Sequence, residues 1–217
     1  MSIVKASWSS FDDNIAKIYL NGWGHPSERS KHLMASVLLE LYGDRPFHLA
    51  DFGCGNGHLY GFFRERGLNL RYTGFDFSPI LLQAGRERFS GDDAAQFREC
   101  DIQEPDENLG VADIVLYSHV LEMLESPGAS LALARKMAPR IMIRFFEPPA
   151  ERHDLVQIRM LDVGRGEATM PYLRRSMSMD FYQLMLSKLG GSSVDIHRVG
   201  DDKDEVHVIG FSTSEED

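Results

Sequence analysis

A glycine-rich turn near residue 53 is the segment best suited to hold a ligand. Residues 48–57 read His-Leu-Ala-Asp-Phe-Gly-Cys-Gly-Asn-Gly, an apolar run that ends in an acid and a turn. Glycine is favoured where a strand turns sharply into a helix and a ligand lies against bare backbone. The dinucleotide pattern Gly-x-Gly-x-x-Gly would need glycine at position 58, where His58 stands. We therefore predict a ligand site, but not a dinucleotide site, at Gly53, Cys54, Gly55 and Gly57.

The charge beside this turn indicates which ligand it would hold. Asp51 lies directly before the turn, where it would repel a pyrophosphate placed at the start of the following helix. The same carboxylate suits a ligand that carries an ammonium group. This favours S-adenosylmethionine, whose amino-acid end has an amine. A Gly-x-Gly turn on its own is common in proteins, so the prediction needs support from elsewhere in the chain.

Two further acids follow the next two apolar segments. Asp76 closes the segment Thr73-Gly74-Phe75-Asp76, and Asp101-Ile102 follow the third segment. In an open parallel sheet, ligands bind outside the carboxyl ends of the strands. There Asp76 could accept hydrogen bonds from both ribose hydroxyls, Asp101 could bind the adenine amino group, and Ile102 could cover the ring. Each acid alone could be a solvated carboxylate or a helix cap, but three at successive strand ends favour an adenosyl ligand.

Two other side chains could take part in chemistry at this edge. His119 is expected at the end of the fourth strand and Glu147 at the end of the fifth, where a substrate would approach. Either could accept a proton or orient the substrate. His119 could equally be a helix-start residue that shapes the pocket, and Glu147 a loop carboxylate fixed by Pro148 and Pro149.

Alternating strands and helices would position these residues. The strands are predicted at Phe47–Phe52, Arg71–Phe75, Gln96–Cys100, Ala112–Tyr117 and Arg140–Phe146, and the helices between them at Leu59–Arg66, Pro79–Phe89 and Ala129–Met137. This alternation is typical of an α/β fold in which helices cover both faces of a parallel sheet.

The flanking segments complete a single predicted domain, 1–217. Residues 1–46 are predicted to form a helical cap, 47–146 the cofactor-binding core, 147–178 a long substrate loop with few periodic signals, and 179–217 a last helix and an antiparallel hairpin. Within the cap, Tyr19 and Trp23 on a glycine-containing loop could close over a substrate. They could also simply dock the cap on the core.

The quoted motifs, together with Phe77-Ser78 and Ser118-His119-Val120-Leu121-Glu122, resemble the class I (Rossmann-like) S-adenosylmethionine-dependent methyltransferases. The resemblance implies a seven-stranded, mostly parallel sheet of order 3-2-1-4-5-7-6 with its last strand antiparallel. It further implies that Phe77 would contact the adenine and that Ser118 would help to bind the cofactor. The other cofactor-binding residues would be those of the turn and the strand ends: Asp51, Gly53, Cys54, Gly55, Gly57, Asp76, Asp101 and Ile102. Met123 stands where many relatives have a second histidine, which puts a borrowed catalytic role for that turn in doubt.

Composition limits the partners and the compartment. The net charge is −10, and no basic stripe is visible that would neutralise nucleic-acid phosphates. The N-terminus lacks the pattern of a secretory signal, and no apolar run is long enough to span a membrane. The two cysteines suit a cytoplasmic protein. The eight histidines lack the spacing of metal ligands. We therefore expect a cytoplasmic monomer or homodimer that binds no membrane, metal or nucleic acid.

The sequence thus predicts methyl transfer from S-adenosylmethionine to an oxygen, nitrogen or carbon atom of a small molecule, such as a secondary metabolite. A peptide or protein methyltransferase, a non-catalytic cofactor-binding module and a different reaction, such as a cyclisation, remain alternatives. The Pro-Pro-aromatic signature of nucleic-acid amino-methylating enzymes is absent after the fourth strand, where Tyr117-Ser118-His119 stand.

Overall fold

A seven-stranded mixed sheet forms the centre of the computed structural model, which describes residues 29–104, 109–162, 169–200 and 203–211. In chain order the strands are β1 (Phe47–Phe52), β2 (Leu70–Asp76), β3 (Ala95–Glu99), β4 (Ile114–Ser118), β5 (Arg140–Phe145), β6 (Leu155–Asp162), β7 (Thr169–Ser176), β8 (Gly191–Arg198) and β9 (Glu205–Phe211). The central sheet has the order β3-β2-β1-β4-β5-β9-β8. Strands β1 to β5 pair in parallel, whereas β9 runs antiparallel to both β5 and β8.

Five described helices connect the strands: α1 (Arg29–Tyr42), α2 (His58–Arg64), α3 (Pro79–Arg88), α4 (Pro127–Met137) and α5 (Met179–Lys188). Two of them begin at a serine that caps the first turn. The Ser178 hydroxyl accepts a hydrogen bond from the Phe181 amide at 3.1 Å, and Ser78 precedes Pro79, whose fixed φ suits the first helical position. Only two residues, Phe77 and Ser78, lie between β2 and α3, so the carboxyl end of β2 and the start of α3 lie at the same edge of the sheet.

The central strands β1, β4 and β5 are buried on both faces of the sheet, which explains why they read as nearly continuous apolar runs. In β1, Ala50 and Phe52 belong to one apolar cluster, while Phe47 and Leu49 belong to the other. The second cluster includes Met34, Leu38 and other residues of α1, so the described part of the predicted cap packs on the sheet. The strand ends that carry the acids are therefore held by a core on each side.

The observed sheet confirms the predicted fold. Without β6 and β7, its order reads 3-2-1-4-5-7-6, as expected, and the hairpin of β8 and β9 closes it. The interval 147–178, however, contains regular structure that the sequence analysis did not predict. Strands β6 and β7 pair antiparallel in a separate two-stranded sheet, from Leu155 opposite Ser176 to Asp162 opposite Thr169. The expectation of a loop without regular structure was therefore wrong for the two strands, which make up half of this segment.

The predicted lid residues Tyr19 and Trp23 lie outside the described residues.

Within the described ranges, no helix is both long and apolar enough to span a membrane.

Candidate active site

A cleft lies at the carboxyl ends of β1, β2 and β4, and the glycine turn forms one of its walls. Gly53 has φ +75°, and its amide donates a hydrogen bond to the Phe75 carbonyl at 2.8 Å. A Cβ atom at Gly53 would lie 2.5 Å from Cγ2 of Val120, and Gly55, at φ +55°, would present a Cβ to open space. Position 53 therefore requires glycine because its backbone is left-handed and because a side chain would clash with Val120. Position 55 favours glycine because of its left-handed backbone alone.

Most of the predicted site residues meet in this cleft. The lining includes Asp51, Gly53, Cys54, Gly55, Asp76, Phe77, Asp101, Ile102, Ser118 and His119. Gly57 lies behind the turn as the N-cap of α2, where a Cβ atom would lie 2.6 Å from the Phe97 ring. Glu147 is not among the lining residues. The cleft also contains His58 and Gln103, which the sequence analysis did not assign to the site.

Asp51 is a buried carboxyl that no cation among the described residues compensates. Its exposed fraction is 1%, and within the described ranges its hydrogen-bond partner is the Tyr72 hydroxyl, which donates to Oδ2 at 2.8 Å. Burial, with a smaller contribution from the nearby charge of Asp76, raises the pKa of Asp51 to about 7, although the hydrogen bond from Tyr72 acts in the opposite direction. No lysine, arginine or histidine in the described ranges forms an ion pair with Asp51 or Asp76. A bound ammonium group would supply the missing charge.

Asp76 is held in one orientation by the backbone around it. The Gly55 amide donates to its Oδ2 at 2.8 Å, and the Ser78 amide donates to its Oδ1 at 2.9 Å. Burial raises the pKa of Asp76, although the hydrogen bonds from Ser78 and Gly55 act in the opposite direction. Each carboxylate oxygen can still accept another hydrogen bond, so Asp76 could bind two hydroxyl groups at once.

The third acid lies at the rim of the cleft. Asp101 is exposed, and its Oδ1 accepts a hydrogen bond from the Gln103 amide at 2.9 Å. Its neighbour Ile102 is buried and lines the cleft, as does the partly buried Phe77. This end of the cleft thus combines apolar surfaces with one solvated carboxylate.

His119 lies at the opposite end and has an unusual backbone. Its φ of +59° makes it the only non-glycine residue with a positive φ in the described ranges. Its amide donates to the Arg144 carbonyl at 2.9 Å, and its ring meets the Phe146 ring edge to face at 5.7 Å. Strained backbone of this kind costs about 1–3 kcal/mol and is concentrated at functional sites.

Asp204 contacts His119 and was missed by the sequence analysis. Its Oδ2 lies 2.9 Å from His119 Nε2 and also accepts hydrogen bonds from Ser30 Oγ and Arg144 Nε, both at 2.8 Å. Burial opposes ionisation of Asp204, but the hydrogen bond and charge of His119, with Ser30 and Arg144, hold its pKa below the usual range. Asp204 stands in the acidic run Asp201-Asp202-Lys203-Asp204-Glu205, which reads as a solvated hairpin turn, so no sequence signal pointed to it.

Glu147 makes its contacts outside the cleft. Its carboxylate pairs with the Arg152 guanidinium. Burial raises the pKa of Glu147, but the hydrogen bond from Ser176 and the pairing with Arg152 outweigh burial, so the pKa is lowered. The Glu147 amide donates instead to Oε1 of Glu122 at 2.9 Å. Glu122 is 1% exposed, and its Oε1 lies 3.2 Å from Nη2 of Arg174. Its buried ion pair with Arg174 indicates a structural role.

The part of the chain that the structure describes contains no group of three or more histidine, cysteine or acidic side chains placed to hold a metal ion.

Comparisons with known proteins agree with this architecture. Residues 50–139 match a family model described as a methyltransferase domain. A 52-residue segment is 42% identical to the methyltransferase-named protein Rv1506c of Mycobacterium tuberculosis and covers 24% of this chain and 31% of that protein. A 111-residue stretch is 30% identical to the non-reducing polyketide synthase ausA of Aspergillus calidoustus and covers 48% of this chain and 4% of the synthase. The matched segments thus span less than a third of either curated relative.

Solved structures share the fold at low sequence identity. The CcbJ methyltransferase from Streptomyces caelestis superposes with a TM-score of 0.69 at 15% identity and covers 92% of this chain and 96% of its own. The 1,6-didemethyltoxoflavin-N1-methyltransferase of Burkholderia thailandensis gives 0.66 at 20% identity, with 94% and 88% covered. The latter was crystallised with 1,6-didemethyltoxoflavin and S-adenosylhomocysteine.

The chain thus has the Rossmann-like α/β fold of these solved methyltransferases, and its residues 50–139 match a methyltransferase-domain model, in agreement with the resemblance seen in the sequence.

Proposed function

We propose that this chain transfers the methyl group of S-adenosylmethionine to an oxygen, nitrogen or carbon atom of a small molecule, such as a secondary metabolite. The observation that carries the proposal is Asp51, a buried acid in the cleft that lacks a cationic partner among the described side chains. Two structural neighbours lend support: the 1,6-didemethyltoxoflavin-N1-methyltransferase was crystallised with bound 1,6-didemethyltoxoflavin, and the N-terminal domain of EvdMO1 was crystallised in the presence of D-fucose.

The cleft residues fit each part of the cofactor. Asp51 would bind the amine, and the backbone at Gly53, Cys54 and Gly55 would lie against the amino-acid end. Asp76 would accept hydrogen bonds from the ribose hydroxyls. The adenine would contact Phe77 and Ile102, with its amino group near Asp101, and Ser118 would line the side that faces His119.

The chain's own contribution to methyl transfer is alignment and proton removal. When bound, the cofactor supplies a methyl group activated by its sulfonium. His119 lines the cleft beyond the turn, where its imidazole would accept the proton that the acceptor atom loses. Because the Glu147 carboxylate pairs with Arg152 outside the cleft, we assign this role to His119 and leave Glu147 with a structural one.

A peptide acceptor is the second candidate, because β6 presents apolar side chains to solvent. Val156, Ile158 and Met160 are 44%, 67% and 56% exposed along one strand of a two-stranded sheet, where an extended peptide could pair. We also propose a cytoplasmic location, on the two cysteines alone, and a monomer or homodimer.

Calorimetry with S-adenosylhomocysteine tests the proposal first. We expect binding to the unmodified protein, at least tenfold weaker binding to Asp51→Asn, and unchanged binding to Asp195→Asn, an exposed aspartate on β8. A panel of hydroxylated and aminated small molecules and of short peptides, assayed for S-adenosylhomocysteine release, would then identify the acceptor. If the unmodified protein bound neither S-adenosylmethionine nor its demethylated product, the proposal would fail.

A further inference from the structure

The contacts of Asp204 with His119 suggest a role for an acid that the sequence did not mark. We infer, on the basis of the proposed methyl transfer, that Asp204 is a positioning residue that holds His119 in the tautomer protonated at Nε2. In that tautomer, Nδ1 is the ring nitrogen that accepts the proton from the methyl acceptor. The argument depends on three features: the partners of Asp204, the backbone of His119 and the lack of a hydrogen-bond partner for Nδ1 among the described residues.

The partners of Asp204 keep it an acceptor. Its Oδ2 faces three donors at 2.8–2.9 Å, namely Ser30 Oγ, Arg144 Nε and His119 Nε2. The Arg144 guanidinium is always charged and only 3% exposed, so it favours the ionised carboxylate beside it. An ionised carboxylate has no proton to give, and the hydrogen on this contact must therefore come from Nε2. The neutral imidazole then carries its lone pair on Nδ1.

The backbone of His119 is fixed by the same arginine. The Arg144 carbonyl accepts the His119 amide at 2.9 Å, while its side chain binds Asp204 and donates to Ser118 Oγ at 3.2 Å. Arg144 lies opposite Ser118 in the pairing of β4 with β5. One residue of β5 thus holds both ends of His119, its strained main chain and, through Asp204, its ring. A histidine that only filled space would not need the positive φ that this arrangement maintains.

The remaining ring nitrogen is available to a substrate. No described residue forms a hydrogen bond with His119 Nδ1, the side chain is 19% exposed, and the residue lines the cleft. In the reaction, a proton leaves the acceptor atom for Nδ1, and the acceptor's electron pair forms the new bond to the methyl carbon. The electrons of the broken carbon–sulfur bond stay on sulfur, which becomes a neutral thioether. The resulting imidazolium is stabilised by the Asp204 carboxylate.

Nuclear magnetic resonance of the ligand-free protein with ¹⁵N-labelled histidine reads the tautomer directly. At alkaline pH we expect the His119 ring, assigned by the loss of its signals in His119→Gln, to show the pattern of the Nε2–H tautomer. Asp204→Asn should shift the population towards Nδ1–H, because its amide can donate to Nε2. Asp195→Asn, the matched exposed aspartate of the same hairpin, should leave the pattern unchanged. An Nδ1–H tautomer in the unmodified protein would overturn the inference.

Activity provides the second readout once an acceptor is known. We expect Asp204→Asn to lower turnover at least tenfold with S-adenosylhomocysteine affinity within threefold, and Asp204→Glu, which keeps the charge, to recover part of the rate. Unchanged turnover and tautomer in folded Asp204→Asn would refute the role. If Asp204→Asn failed to fold because Arg144 lost its partner, the tautomer of the unmodified protein would still decide. Failure of the methyltransferase proposal itself would appear separately, as absence of cofactor binding.

Discussion

The raised pKa of Asp51 predicts that cofactor affinity depends on pH in the neutral range. With a pKa of about 7, the carboxyl is about 9% ionised at pH 6 and about 91% ionised at pH 8. An ammonium group binds the ionised form, so the unliganded protein must lose a proton before or during binding. The apparent Kd for S-adenosylhomocysteine should therefore fall about tenfold, or roughly 1.4 kcal/mol, from pH 6 to pH 8.

Calorimetry at pH 6, 7 and 8 measures this effect, and buffers of different ionisation enthalpy count the protons released. We expect the unmodified protein to release close to one proton per ligand at pH 6 and almost none at pH 8. In Asp51→Asn the affinity should be lower and its change across this range should disappear. An affinity independent of pH in the unmodified protein, or proton uptake on binding at pH 6, would refute the reasoning.

Three further predictions concern single substitutions. Burial raises the pKa of Asp51 above its value of 3.8 in an unfolded chain, so the free energy of unfolding decreases as pH rises from about 4 towards 7. Asp51→Asn should therefore raise Tm at pH 8 and change it little at pH 4. Gly53→Ala should lower Tm by several degrees and weaken S-adenosylhomocysteine binding, since a left-handed backbone costs an L-residue about 1–2 kcal/mol and the new Cβ would meet Val120; unchanged melting and calorimetric curves would contradict the geometry of the turn. His119→Ala should lower turnover by about 10²–10⁴-fold while leaving the Kd for S-adenosylhomocysteine within threefold, and wild-type turnover at several pH values would exclude a general base.

The strands of the central sheet could be predicted because burial on both faces leaves a direct mark on the sequence. The observed β1, Phe47–Phe52, has the bounds that its apolar run indicated, and β5 differs from its prediction by one residue. The cleft could also be predicted, since parallel strands bring their carboxyl ends to one edge and the acids lie at or within two residues of those ends. Local patterns of this kind depend on residues that are close in the chain.

The hairpin of β6 and β7 was missed for a physical reason. Apolar residues Val156, Ile158 and Met160 alternate with polar ones in β6, but they face solvent, and Pro171 interrupts the pattern of β7. Proline is confined to strands with unpaired positions, and β7 pairs with β6 alone. The two-stranded sheet therefore lacks the burial signal on which the strand predictions depended.

The partner of His119 could not be found from spacing. Asp204 is 85 residues away in the chain, and the antiparallel placement of β9 beside β5 brings its carboxylate to His119. Within the sequence, it is one of several acids in a turn. Glu147, by contrast, follows β5 directly as expected, but its side chain turns to Arg152, because backbone position alone does not determine where a long side chain points.

A crystal structure with S-adenosylhomocysteine bound tests the central claim most directly. We predict the ligand amine within hydrogen-bond distance of the Asp51 carboxylate, the ribose hydroxyls at Asp76, and the sulfur on the side of the cleft that faces His119. A ligand whose amine lay away from Asp51, or whose adenosine occupied the His119 end, would contradict the account.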